Sequence, residues 1–222
     1  MECNYDQFKK LSVNDYDKVT KLNFNNAELT TLPIEIGQFI NLNKFDCNNN
    51  QLTTLPIEIG QLINLKIFYC RNNQLTTLPI EIGRLINLKE FDCSYNQLTT
   101  LPIEIGQLIN LNEFYCSNNQ LTILPIEIGR MTNLKCIDIS NNNIYKILSL
   151  KEYQKLYQIY TISCCKKIQK HYRENRSKIC SYNKRKLLMD VVMSIEYKPN
   201  FGFKFYEILN DANEYFCWNN DQ

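Results

Sequence analysis

The 222-residue sequence predicts an α/β solenoid, a stack of short coils that each hold one strand and one short helical piece. Three observations predict it. A 23-residue block recurs: residues 63–78 read INLKIFYCRNNQLTTL and residues 109–124 read INLNEFYCSNNQLTIL. Its leading leucine falls at Leu42, Leu65, Leu88, Leu111 and Leu134, with Val19 one period earlier. Inside the block, apolar spacing passes from alternation to steps of three. A unit this short cannot bury its own apolar face, so it must stack on copies of itself.

The copy that starts at Leu65 supplies the elements in order. Phe68 and Cys70 alternate with residues of the opposite side, which is strand spacing. Leu65 and Leu75 flank that strand and turn into the same core. Asn73 recurs as Asn50, Asn96, Asn119 and Asn142. A buried amide is costly unless its donors and acceptor are used, and the simplest use is to bond backbone groups of its own and neighbouring coils. The expectation is an asparagine ladder along the bend where each strand ends.

In the second half, Leu75 and Leu78 are three apart, as are Ile82 and Leu85, so the chain turns helical or 3₁₀. Pro79 is expected at the first helical position, where its missing N–H costs nothing. Glu81 then lies in the first turn, favoured by the helix dipole. Gly83 is expected to end the turn in a left-handed conformation. Successive strands pair in parallel. Helical pieces need more room than strands, so the stack is expected to curve with the strands inside.

Written as LxxLxLxxNxL followed by LPxEIGxLxNL, the block resembles the leucine-rich repeat family over residues 19–144. Its second half resembles the intracellular Ras-group repeats and is similar to repeats of giant-virus and bacterial proteins. The resemblance implies a leucine-rich repeat solenoid with a curved parallel sheet on the concave side and short helical or 3₁₀ segments on the convex side. It also implies protein–protein interaction through the concave face. The sixth repeat position, usually leucine in that family, is Cys47, Cys70, Cys93 and Cys116, returning to Ile139. Ala27 takes the ladder position in the first copy. The organisation read from the pattern is an N-terminal cap over 1–18, repeats over 19–150 in six clear copies, and a degenerate seventh repeat with a helical, basic C-terminal cap over 151–222.

Composition narrows the function classes. No apolar run reaches the ~18 residues of a membrane span. Residues 1–6 have no basic start or apolar stretch, so the expected location is cytoplasmic, or the host cytoplasm for a viral chain. Ten cysteines fit a reducing compartment better than an oxidising one. The four cysteines of the row would be spaced by the ~4.8 Å between strands and spread over ~14 Å. Zinc needs four ligands at ~2.3 Å, so the row reads as core filling and no metal is expected. Residues 19–144 hold eight Lys/Arg against eleven Asp/Glu, whereas residues 145–222 hold fourteen against eight. An acidic arc is a poor nucleic-acid cradle.

No catalytic constellation can be assembled. The single histidine, His171, has no nucleophile motif beside it. The glutamates Glu35, Glu58, Glu81, Glu104 and Glu127 read as solvated helix-start residues. No glycine loop of the phosphate-binding kind is present, so no cofactor is expected. The sequence therefore points away from an enzyme and towards a scaffold with a protein partner.

The residue between the two inward positions of each strand faces the concave side. Those residues are Asn23, Asp46, Tyr69, Asp92, Tyr115 and Asp138, flanked by Lys44, Ile67, Arg71, Glu90, Tyr95 and Glu113. Tyrosines amid charges are what protein-binding faces use, and Asp46, Tyr69, Arg71, Asp92, Tyr95, Tyr115 and Asp138 are the expected contacts. In the tail, Ile168, Gln169, Arg173 and Lys178 resemble the IQ motif that binds calmodulin-like EF-hand proteins, with Glu174 where its glycine belongs. Residues 166–186 carry nine Lys/Arg and one acidic residue, an alternative site for salt-sensitive nucleic-acid contact.

Overall fold

A computed structural model describes residues 1–144, together with 151–152, 154–155 and 157–158. The description below concerns the unit that spans Met1–Tyr157. Seven three-residue strands form one parallel sheet in sequence order: β1 (Glu2–Asn4), β2 (Lys21–Asn23), β3 (Lys44–Asp46), β4 (Ile67–Tyr69), β5 (Glu90–Asp92), β6 (Glu113–Tyr115) and β7 (Cys136–Asp138). From β2 to β7 the register advances by one repeat at each pairing, so Phe45 lies beside Phe68, Phe68 beside Phe91 and Phe91 beside Phe114. After each strand from β2 to β6 a five-residue 3₁₀ helix returns the chain, beginning at Ile34, Ile57, Ile80, Ile103 and Ile126. This is the stacked strand-and-3₁₀ architecture that the repeat predicts.

The core is a set of columns, one residue per coil. Leu42, Leu65, Leu88 and Leu111 are fully buried, as are Cys47, Cys70, Cys93 and Cys116. The phenylalanines at the strand centres stack with centroids 5.5, 5.4 and 5.6 Å apart from Phe45 through Phe114, within the range of offset aromatic pairs. Burying each ring is worth about 1.5–3 kcal/mol. The thiols of Cys47, Cys70 and Cys93 are pushed well above their ordinary pKa by burial, so they act as small hydrophobes.

Asparagine holds the coils in step. Asn96 Nδ2 donates to the carbonyl oxygens of Cys70 and Cys93, both at 3.0 Å, and its Oδ1 accepts from Leu75 N–H at 2.9 Å. Asn73, Asn119 and Asn142 repeat the pattern. Asn50 does the same for the first coil and also accepts from Ala27 N–H at 3.1 Å, so Ala27 is served from the next coil. Two further asparagine columns lie outside the sequence reading. In one, Asn41, Asn64, Asn87, Asn110 and Asn133 each donate to a carbonyl one coil back. In the other, exposed side chains link to one another: Asn49 to Asn25, Asn72 to Asn49 and Asn141 to Asn118.

Four details correct the sequence reading. Pro33, Pro56, Pro79, Pro102 and Pro125 cap the 3₁₀ helices in extended backbone, one residue before the first helical position, where the missing N–H is equally harmless. No glycine among the described residues has a positive φ. Gly83 instead sits inside the 3₁₀ helix, where an added Cβ would lie 2.6 Å from Glu104 O and 2.8 Å from Glu104 Cβ of the next coil. Close approach, not handedness, requires glycine there. The left-handed positions are Asn26, Glu28, Asn49, Asn72, Tyr95, Asn118 and Asn141.

The glutamate row is not uniformly solvated. Glu35 is exposed, Glu58, Glu81 and Glu104 are half-buried, and Glu127 is 5% exposed; from Glu58 to Glu127 each Cβ packs on the glycine of the preceding coil. Finally, residues 1–18 do more than cover the first coil: β1 extends the sheet, and Asn4 and Gln7 cap the short helix Tyr5–Phe8 reciprocally.

The degenerate seventh repeat and the C-terminal cap lie outside the described residues, apart from the helical positions between 151 and 158. Among the described residues no helix is long and apolar enough to cross a membrane.

Candidate functional site

Parallel pairing in register turns each strand position into a row across the sheet. The centre row is buried, and the two outer rows are half-exposed from β3 to β6 on the face turned away from the core. One row runs Lys21, Lys44, Ile67, Glu90, Glu113 and Cys136. The other runs Asn23, Asp46, Tyr69, Asp92, Tyr115 and Asp138. The structure thus brings Asp46, Tyr69, Asp92, Tyr115 and Asp138 into one line, with Arg71 and Tyr95 just past the strand ends. The shallow concavity over β4–β6 has a volume of about 330 Å³ and is lined by Asn48, Tyr69, Arg71, Glu90, Asp92 and Tyr115.

The polar groups of this face are held in place. Tyr69 Oη donates to Glu90 Oε1 at 2.7 Å, and Tyr115 Oη donates to Glu113 Oε2 at 2.7 Å. Burial, followed by the Glu90 hydroxyl–carboxylate bond, pushes the Tyr69 hydroxyl well above its ordinary pKa. The bond to Glu113 does the same for Tyr115. Asp92 and Asp138 each accept a backbone N–H two residues ahead, from Ser94 at 2.9 Å and Ser140 at 3.0 Å. Asp138 also accepts from Ser140 Oγ at 2.7 Å. Burial opposes its ionisation, but those serine bonds win and hold its carboxyl below the usual range.

Two cations rest on rings. Lys44 Nζ is 4.9 Å from the Tyr69 centroid, and the Arg71 guanidinium is 4.7 Å from that of Tyr95. Tyr95 occupies the position that is Asn26, Asn49, Asn72, Asn118 and Asn141 in other coils, keeps the left-handed backbone at φ 54°, and is 46% exposed. The linked amides Asn25–Asn49–Asn72 therefore stop at Tyr95, and Asn118–Asn141 form a separate pair. Sequence reasoning placed Tyr95 on this face but missed the column it interrupts. The signal was present, since five copies carry asparagine where this one carries tyrosine.

Among the described residues no group of three or more His, Cys, Asp or Glu is placed to hold a metal ion. Ile168, Gln169, Arg173, Lys178 and His171 lie outside the described residues.

Residues 63–107 and 109–157 match the sequence profile described as leucine rich repeats (2 copies). The described solenoid is a leucine-rich repeat fold. Solved leucine-rich repeat structures are similar to it. The ectodomain of the plant membrane receptor kinase GASSHO1/SCHENGEN3 from Arabidopsis thaliana, in complex with CASPARIAN STRIP INTEGRITY FACTOR 2, is 29% identical with a TM-score of 0.53, over 56% of this chain and 16% of its own. The plant peptide hormone receptor RGFR1, in complex with RGF2, is 32% identical with a TM-score of 0.53, over 58% of this chain and 22% of its own. A leucine-rich repeat protein of Leptospira interrogans is 33% identical with a TM-score of 0.39, over 65% of this chain and 49% of its own. The chain therefore spans less than half the length of each of these proteins. No curated protein matches it.

Proposed function

We propose that this leucine-rich repeat chain is a non-catalytic scaffold that binds a protein partner on the solvent-facing side of its sheet. Tyr95 carries the reading. An aromatic residue there keeps a backbone conformation that disfavours it, interrupts a column of linked amides and remains 46% exposed. Strain retained against local stability marks a functional position. Tyr69 and Tyr115 support the same reading, because they give large contact area with hydroxyls already fixed by Glu90 and Glu113. Two similar plant receptors have been solved in complex with CASPARIAN STRIP INTEGRITY FACTOR 2 and RGF2, which supports a peptide or protein ligand.

The test is affinity purification with the wild-type chain and with Tyr69→Ala/Tyr95→Ala, followed by a titration with the purified partner. A partner bound at least ten-fold more weakly by the variant, with the variant still folded, supports the reading. Equal binding by both overturns it.

A further inference from the structure

On this face the chain seats its own cations on two of three tyrosine rings. Lys44 reaches over Tyr69 and Arg71 over Tyr95, each from the preceding coil. The third ring, Tyr115, is built differently. Two repeats after Lys44, the same row position is Glu90. A carboxylate thus stands where a cation stands for Tyr69. Among the described residues no cation lies over the Tyr115 ring.

Acidic residues flank Tyr115 on three sides. The register sets it between Asp92 and Asp138. Glu113 in its own strand accepts its hydroxyl, and Glu90 lies directly across from Glu113. Like charges placed opposite each other in a sheet repel. Among the described residues none of these four carboxylates is in an ion pair, since the two pairs present are Lys9–Asp6 and Lys18–Asp15. The ring face and the four carboxylates, hydrogen-bonded but without a counter-charge, call for the same ligand, a cation with an apolar stem.

We propose that the Tyr115 station receives a lysine or arginine side chain of the partner, its stem along the ring and its charge met by Glu90, Asp92, Glu113 and Asp138. This rests on the sheet-face reading above. The occupant is an extended polypeptide segment, and charge sets its direction. Lys21 stands on β2 and Lys44 beside Asp46 on β3, a net positive pair of strands, whereas β5–β7 present the four acids. The cationic residues of the segment therefore lie over β5–β7, and neutral or acidic residues lie over β2 and β3.

The experiment uses the full chain and random 12-residue peptides displayed on phage. Enriched sequences are synthesised with a fluorescein label and titrated by fluorescence anisotropy. The expected result is enrichment of Lys or Arg, with binding weakened at least ten-fold by Glu90→Gln/Glu113→Gln and by lysine-to-norleucine exchange in the peptide, the two losses not adding. Glutamine keeps a side-chain oxygen for the Tyr69 and Tyr115 hydroxyls, so the variant stays folded, and a thermal midpoint close to that of wild type separates lost binding from lost folding. Peptides that carry no cation, or that bind the glutamine variant as tightly as wild type, overturn the cation station. The sheet-face reading then stands if Tyr69→Ala/Tyr95→Ala still abolishes binding. No enrichment, or peptides indifferent to the tyrosine variant, overturns both.

Discussion

The side-chain amide of Asn96 donates to the carbonyl oxygen of Cys70 at 3.0 Å, one coil away, and to that of Cys93 in its own coil at the same distance. One side chain thus joins two backbones, and its Oδ1 fixes Leu75 N–H as well. Replacement by alanine strands buried donors and acceptors that water does not reach.

Asn96→Ala is expected to lower stability by about 2–4 kcal/mol, since each buried group left unpaired costs about 1–3 kcal/mol. Chemical denaturation of variant and wild type measures it. Asn110→Ala, at a half-buried position with one solvent-exposed bond to Ile86 O, is the comparison and should cost about 1 kcal/mol or less. Equal losses for the two would contradict the buried ladder.

Gly83→Ala separates two reasons for a glycine. With negative φ, alanine would stabilise a free site by about 0.4–1 kcal/mol through the unfolded chain. Here the new methyl group would meet Glu104 O at 2.6 Å, so the expected outcome is a loss of about 1–3 kcal/mol from overpacking. A variant more stable than wild type in urea melts would show that the coils are not held this close.

Tyr95→Asn should stabilise the fold while weakening partner binding. An ordinary side chain in left-handed backbone costs about 1–2 kcal/mol, which asparagine largely avoids. The new amide would also link Asn72 to Asn118, offset by about 0.5–1 kcal/mol of lost stacking with Arg71. The net gain expected is about 1 kcal/mol, read as a higher thermal midpoint. A lower midpoint would mean that Tyr95 serves the fold rather than a partner.

Glu127 gives a pH dependence. Among the described residues its buried Oε1 has no hydrogen-bond partner, and burial, reinforced by Glu104, raises its pKa above the ordinary 4.5. A carboxyl raised in the folded state favours folding when protonated. Its contribution is therefore present below pH 4.5 and is lost as pH climbs through the raised value. Glu127→Gln should match wild type near pH 4 and exceed it increasingly towards pH 7 in thermal melts. A gap that is constant with pH would rule out the titration of Glu127.

Much of this was legible in the sequence because repetition multiplies weak signals. One Phe68 or one Asn73 says little, but the same residue at 23-residue intervals fixes both register and core. What stayed hidden depends on neighbours. A conserved-looking Ile-Gly pair does not distinguish a left-handed turn from a close contact, since both require the absent Cβ, and only the Glu104 backbone beside Gly83 decides. The burial of Glu127 likewise belongs to packing between coils, which spacing within one repeat cannot express. β1 escaped notice because Glu2–Asn4 carries no repeat signature and pairs through backbone alone. The face residues were found by alternation, yet the missing cation at Tyr115 emerges only when rows are compared across strands.

The pairing step of one whole period at every strand from β2 onward has an evolutionary corollary. Unequal recombination that drops or adds a complete unit between β3 and β6 would re-form the phenylalanine, cysteine and asparagine columns at the junction. The fold would tolerate the event, but the order of charges along the exposed face of the sheet would change in a single jump.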